Sequence, residues 1–457
     1  MGRGWRKRRV AAVCLVAALS LGAGAGCTSG VASTAPTAPG PGSATASAGA
    51  GPAPPVLSGR ALASPGCSGA TATGRALGTA DTASVPTAGS PFGVAATPDG
   101  EWAFAVSSTN GSVEVLRLGH GTAAAPAVTE VRSIVVPGPG AAGAAVTPDG
   151  KYLLVASGAG AVVISVARAE SGAPGAVLGS LTSPARAGSP GAAGSAIEVA
   201  VSPDSRFAFV TLEYADEAVV FDLAAAVAHG FGAADYVGAI PLGQATVGMA
   251  VSPDGRWLYA TSEVAASGQH PAGFGSPGGC TGNVRGASPG TPAGTLTVVD
   301  LRKAETDPAR SVAATVDAGY QPVRVVTAAD GTQVWVTARA SDDVLCFSAA
   351  RLVSDPAHAL VAVVRVGSEP VGLAAVRSGT LLVVADSNRF GAAGASSDLT
   401  VVSVPAALAG RPAVIGQLST GLFPRDMAVS PGGTLLVSDY SSDQVQAIAT
   451  AALPAAG

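Results

Sequence analysis

Hydrophobic and polar positions along this chain repeat one phrase seven times. Its fullest copy runs from Val247 to Thr261. An apolar run, Val247-Gly248-Met249-Ala250-Val251, reaches Ser252-Pro253-Asp254-Gly255, and a second apolar run, Trp257-Leu258-Tyr259-Ala260, leaves it. Pro253 presets the first corner of a type I turn, and Gly255 can take the left-handed conformation that returns the chain. Each copy therefore predicts a β-hairpin. The turns fall at 97–100, 147–150, 202–205 and 252–255, with weaker copies at 328–331, 376–379 and 430–433. The turn aspartates Asp99, Asp149, Asp204 and Asp254 are 50, 55 and 50 residues apart, and Asp330 follows after 76.

Each repeat but the last holds four apolar runs. Strand A precedes the turn, as in Gly93 to Ala96, and strand B follows it, as in Trp102 to Val106. Strand C is a β-branched run such as Leu296-Thr297-Val298-Val299-Asp300, and strand D is an outer run such as Val361 to Val364. Four strands in about fifty residues predict a propeller blade. The fold class is all-β, a seven-bladed β-propeller of four-stranded blades. The seventh repeat stops after its third strand, while a spare β-like segment, Thr79 to Pro86, precedes the first. An open ring would leave an unpaired edge, so this segment is predicted to enter the last blade and close the circle. Short connectors between C and D, such as Leu223 to His229 and Ala349 to Ser354, predict single helical turns.

Charge changes the picture at one end only. Five of the 26 bases fall in the first nine residues, and the 21 that remain face 30 acids. An acidic remainder argues against a nucleic-acid partner, which needs a basic surface. The early bases precede the short apolar stretch Val10 to Leu21, the pattern of a secretory signal at 1–26. Gly24-Ala25-Gly26-Cys27 resembles a bacterial lipobox with Cys27 as the lipidated residue; Ala23-Gly24-Ala25 offers ordinary cleavage instead. Residues 27–60 are almost wholly Ala, Pro, Gly, Ser and Thr, a flexible tether. The propeller occupies 61–457. Contact with a membrane is expected only through the N-terminal lipid. Outside the cytosol Cys67 and Cys280 could pair, whereas Cys346, in Val344-Leu345-Cys346-Phe347, reads as a buried thiol.

The Ser-Pro-Asp-Gly turn, the aromatic or apolar pair after it, Pro322-Val323, Pro424-Arg425 and the Val-Val-Asp of strand C resemble the YVTN-type β-propeller repeat family. That family includes secreted repeat proteins and lactonase-like seven-bladed propellers. The resemblance covers roughly residues 79–450 and lies in the repeat; it implies blades, and no catalytic residue carries over from it.

Candidate chemistry follows from topology. The D–A and B–C loops open on one face, and the B–C loops vary most, at Ala265 to Gly294 and Ser387 to Ser397. Insertions gathered on one face suggest a binding face. Six residues before each turn aspartate or its equivalent, at the channel mouth, stand Gly93, Gly143, Glu198, Gly248, Arg324, Gly372 and Asp426. Three charges among glycines mark candidates. Arg425 adjoins Asp426, and the B–C loops add Glu213, Tyr214, Glu263, Arg339, Asp342, Asp386, Asn388, Arg389, Asp439 and Tyr440. Such a funnel could hold a sugar or a peptide end. Alternatively, the charges pair with one another and plug the channel. No cofactor is implied, and no metal: the four histidines lack paired spacing, and Arg324 and Arg425 compete with a cation between Glu198 and Asp426. Gly286-Ala287-Ser288-Pro289-Gly290 and Gly138 to Gly143 match nucleophile and dinucleotide patterns without the helix that either needs. The expected function is an exported, lipid-anchored ligand-binding or protein-interaction scaffold at the cell envelope, with an envelope protein, peptide or carbohydrate as partner. The alternative is a lactonase-like hydrolase acting on a cyclic sugar ester.

Overall fold

The hairpin phrase builds itself from its own side chains. In the fullest copy the Ser252 hydroxyl donates to the Asp254 carboxylate (2.6 Å) and accepts the Trp257 amide (2.9 Å). Asp254 also accepts the Arg256 amide, and Gly255 takes φ +67°. The Ser252 hydroxyl and the Arg256 amide hold the Asp254 carboxyl below the usual range. The other strong copies repeat this, with Ser205 left-handed in the glycine's place in the third. The Val-Val-Asp of strand C also has a local cause. Asp222 and Asp300 end strand C and cap the helical turns Leu223–His229 and Leu301–Ala304 by accepting amides three residues on. Ser165 and Ser403 do the same before Val166–Ser171 and Val404–Leu408.

The computed structural model describes residues 74–78, 82–119, 126–184, 195–266, 293–391 and 395–456. The signal, the tether, Cys27, Cys67, Cys280 and most of the blade-four B–C loop lie outside the described residues. The strands form seven four-stranded antiparallel sheets, blades one to six running in order A-B-C-D. Each strand A contacts the strand A of the next blade around the whole ring. Blade seven takes three strands from the C-terminus, Pro424–Val429, Thr434–Asp439 and Gln444–Ala449, and its fourth from Thr82–Pro86, which pairs antiparallel with Gln444–Ala449. The predicted closure is therefore present. The chain also does something the repeat did not foretell. Just before the closing strand, Ala76 bridges Gln417 in parallel, so the N-terminal segment lies along the outer strand of blade six. Gly416 makes room: a Cβ there would lie 2.5 Å from the Arg75 carbonyl.

Between blades the core is aromatic and β-branched. Trp335, Tyr259, Phe104, Phe209, Phe221 and Phe347 are fully buried, each worth roughly 1.5–3 kcal/mol of burial. Cys346 is buried as a free thiol within this core. Among the described residues no helix is long and apolar enough to cross a membrane.

Candidate functional site at the channel mouth

Strand A carries a β-bulge near the mouth in six blades, which leaves backbone groups at the channel position without a ladder partner. In blades three, four, five and seven a hydroxyl from strand B takes them up. Thr211, Thr261, Thr337 and Ser438 accept the amides of Glu198, Gly248, Arg324 and Asp426 at 2.9–3.0 Å. The same hydroxyls donate onward to the carbonyls of Val247, Val323, Val371 and Phe92 in the next blade. In blade two the Gly143 amide reaches the Ile197 carbonyl directly. The channel glycines are there because the backbones touch: a Cβ on Gly248 would lie 2.2 Å from the Val323 carbonyl.

The three charged channel residues form one ion triad. Arg324 contacts Glu198 through Nη1 and Asp426 through Nε, the latter at 3.2 Å, and all three side chains are buried. The second Asp426 oxygen accepts the Val94 amide, joining blade seven to blade one (3.1 Å). Burial and the nearby Asp426 push the Glu198 carboxyl up to about 7, against the pull of Arg324. Closer to the turn face the channel wall is apolar, with a recess of about 380 Å³ lined by Met249, Val326, Ala375 and Met427 among others. The pairing alternative raised by the sequence thus describes Glu198, Arg324 and Asp426.

Arg425 behaves differently. It belongs to a second ring, one residue before the first: Phe92, Ala142, Ile197, Val247, Val323, Val371 and Arg425. Six of these places are apolar, and Ile197, Val247, Val323 and Val371 pack together. Arg425 fills the seventh, without a carboxylate partner among the described residues. Its guanidinium carbon lies 3.6 Å from the Phe92 ring centre, 5.4 Å from Phe423 and 5.7 Å from Tyr440. The rings brace one another, with Tyr440 edge-on to Phe92 at 6.5 Å. Its Nε is buried without a hydrogen-bond partner. Burial, with Arg324 and Arg389 nearby, pushes Arg425 down to about 9.

Around this box lie further candidates. Arg389 is exposed and stacks over Phe390 (5.3 Å) and Phe423 (5.5 Å). Arg339 is spent: its Nη2 donates to Glu263 (2.8 Å) and Gln321 (3.0 Å). Burial and Glu263 raise the Glu213 carboxyl, while Arg425, Arg389 and Arg339 oppose the rise, so these five side chains form one electrostatic cluster. Tyr214 is 68% exposed and Phe390 46%. Asn388 holds its own loop, its amide donating to the Ser396 carbonyl (3.0 Å).

Asp386 and Asp439 are turned away into loop corners, with Asp386 Oδ1 buried and without a hydrogen-bond partner. Each ends strand B and is buried. Asp386 accepts the Thr400 hydroxyl, and a Cβ on Gly367 would meet its carboxyl at 2.3 Å. Asp439 accepts Thr420 and Gln444, both at 2.8 Å. Burial raises both carboxyls. They brace loop corners, as Asp342 does by accepting the Glu369 amide. Among the described residues no cluster of three or more His, Cys, Asp or Glu is placed to hold a metal ion. The aromatic box was missed from sequence, although Arg425 was visible as the odd member of an otherwise apolar column.

No family model and no curated protein matches the chain. Among solved structures it is similar to the hydrazine synthase of Kuenenia stuttgartiensis, at 16% identity and TM-score 0.56 over 81% of this chain and 98% of that one. It is also similar to the Cps50 (Swd1) β-propeller domain of Myceliophteria thermophila, at 12% identity and TM-score 0.53 over 80% of this chain and 99% of that one. These likenesses are of fold.

Proposed function

We propose that this chain is an exported, lipid-anchored binding module of the YVTN-type kind, which takes an anionic ligand at the mouth of its propeller. The observation that carries the reading is Arg425, a guanidinium in an apolar ring position, boxed by Phe92, Phe423 and Tyr440 and lacking a carboxylate partner among the described residues. Burying an unpaired charge is costly, and a bound anion offsets that cost. Export and anchoring rest on the basic start, the apolar stretch Val10 to Leu21 and Cys27.

The hydrolase alternative needs Glu198, Asp426 and Arg324 as its working groups, and these are bonded to one another. Binding is therefore the better supported reading. A thermal-shift screen against sugars, peptides and lactones tests it. A ligand that raises the melting temperature of the wild type but not of Arg425→Ala supports binding. Lactone opening that disappears in Glu198→Ala and Asp426→Ala overturns it. Fatty-acid labelling that depends on Cys27 tests the anchor; unlabelled, freely released protein removes it.

A further inference from the structure

Resting on that reading of the mouth, we infer that the ligand is the C-terminal end of a peptide, its carboxylate held between Arg425 and Arg389. The two guanidiniums share one ring, standing 5.4 and 5.5 Å from the centre of Phe423. Guanidinium pairs suit a planar carboxylate, which accepts two parallel N–H bonds from each fork.

Among the described residues Arg324 pairs with Glu198 and Asp426, and Arg339 with Glu263, whereas Arg389 and Arg425 make no ion pair. These two guanidiniums stand beside the Glu213 carboxyl, whose rise on burial they oppose.

The surroundings favour a peptide over an acidic sugar. Phe92 lies against Arg425, and the ring continues in the packed valines Val371, Val323 and Val247, an apolar lining that suits the side chain of a terminal residue and strands sugar hydroxyls. Glu213 is an acceptor for the amide N–H groups that precede a peptide's carboxylate. The exposed rings of Phe390 and Tyr214 give the preceding side chains a surface to lie on.

The test uses the purified full chain. A random hexapeptide pool with free C-termini and the same pool as C-terminal amides are each passed over immobilised protein. The best binder is then titrated calorimetrically as acid and as amide, beside glucuronate and inorganic phosphate. The expected result is enrichment from the acid pool only, with at least tenfold weaker binding of the amide. Arg389→Gln and Arg425→Val should each weaken binding at least tenfold, and Arg425→Val should melt no lower than the wild type, which separates lost recognition from lost fold. Equal binding of acid and amide overturns the inference. Arg425-dependent binding of glucuronate or phosphate without peptide binding overturns the peptide class and leaves the anion site standing. Failure of every probe overturns both.

Discussion

Val85, near the start of the described chain, sits directly opposite Val445, near its end, in the antiparallel pair that completes blade seven. Val85 is buried while its neighbour Ser84 is exposed, so the closing strand presents one face to the core between blades seven and one. Replacing Val85 with Asp puts a charge in that core and should cost about 2–4 kcal/mol. Ser84→Asp should cost no more than about 0.5 kcal/mol. Chemical denaturation of the two variants compares them directly, and equal stabilities would refute the closure as a source of stability.

Removing Arg324 leaves Glu198 and Asp426 buried together. Arg324→Met should therefore destabilise the ring by about 3–5 kcal/mol near neutral pH. Adding Glu198→Gln and Asp426→Asn should recover most of that loss, because the trio then carries no charge. A double-mutant cycle in urea reads the recovery; no recovery would mean that the triad contributes through packing.

Glu198 also gives stability a pH dependence of definite sign. Its folded carboxyl sits at about 7, above the ordinary 4.5, so the folded state holds the proton more tightly. The associated stability is fully present below about pH 4.5 and is lost as pH rises to 7. At about 1.4 kcal/mol per pH unit, the loss is up to about 3 kcal/mol. Asp317, raised to about 6 by its burial, acts in the same direction. Melting temperatures should fall between pH 5 and 8, and Glu198→Gln should flatten that fall. A melting temperature that climbs over this range contradicts the assignment.

Arg425→Val restores the apolar ring beside Val371 and Phe92. It should leave the free protein at least as stable as the wild type, since a half-buried guanidinium without an ion pair among the described residues disappears. It should also abolish ligand-induced stabilisation. Differential scanning calorimetry with and without ligand measures both; a variant that binds normally would remove Arg425 from the site.

The blades were legible because their causes are local. Ser252 and Asp254 build their turn within five residues, and Asp300 ends a strand and caps a helix in one stroke. Closure was legible as a count, the last repeat holding three strands where the others hold four. The site was legible only in part. Glu198, Arg324 and Asp426 stand out because glycine is the rule at their position; the sequence raised their pairing as one of two readings but could not choose, since the bonded partners lie 126 and 102 residues apart. The buried Asp386 and Asp439 looked like funnel acids because distance along the loop does not reveal which way a side chain turns. The box of Phe92, Phe423 and Tyr440 joins the two ends of the chain and has no local signature.

The hydroxyls of Thr211, Thr261, Thr337 and Ser438 all end on main-chain oxygens, and those oxygens belong to Val247, Val323, Val371 and Phe92. The residues that receive the strut are the ones whose side chains face the entrance. Because a carbonyl is common to every amino acid, the fastening makes no demand on what else such a residue carries. Selection can therefore redraw the lip of the pore one wedge at a time, while the hoop that holds the wedges keeps its grip.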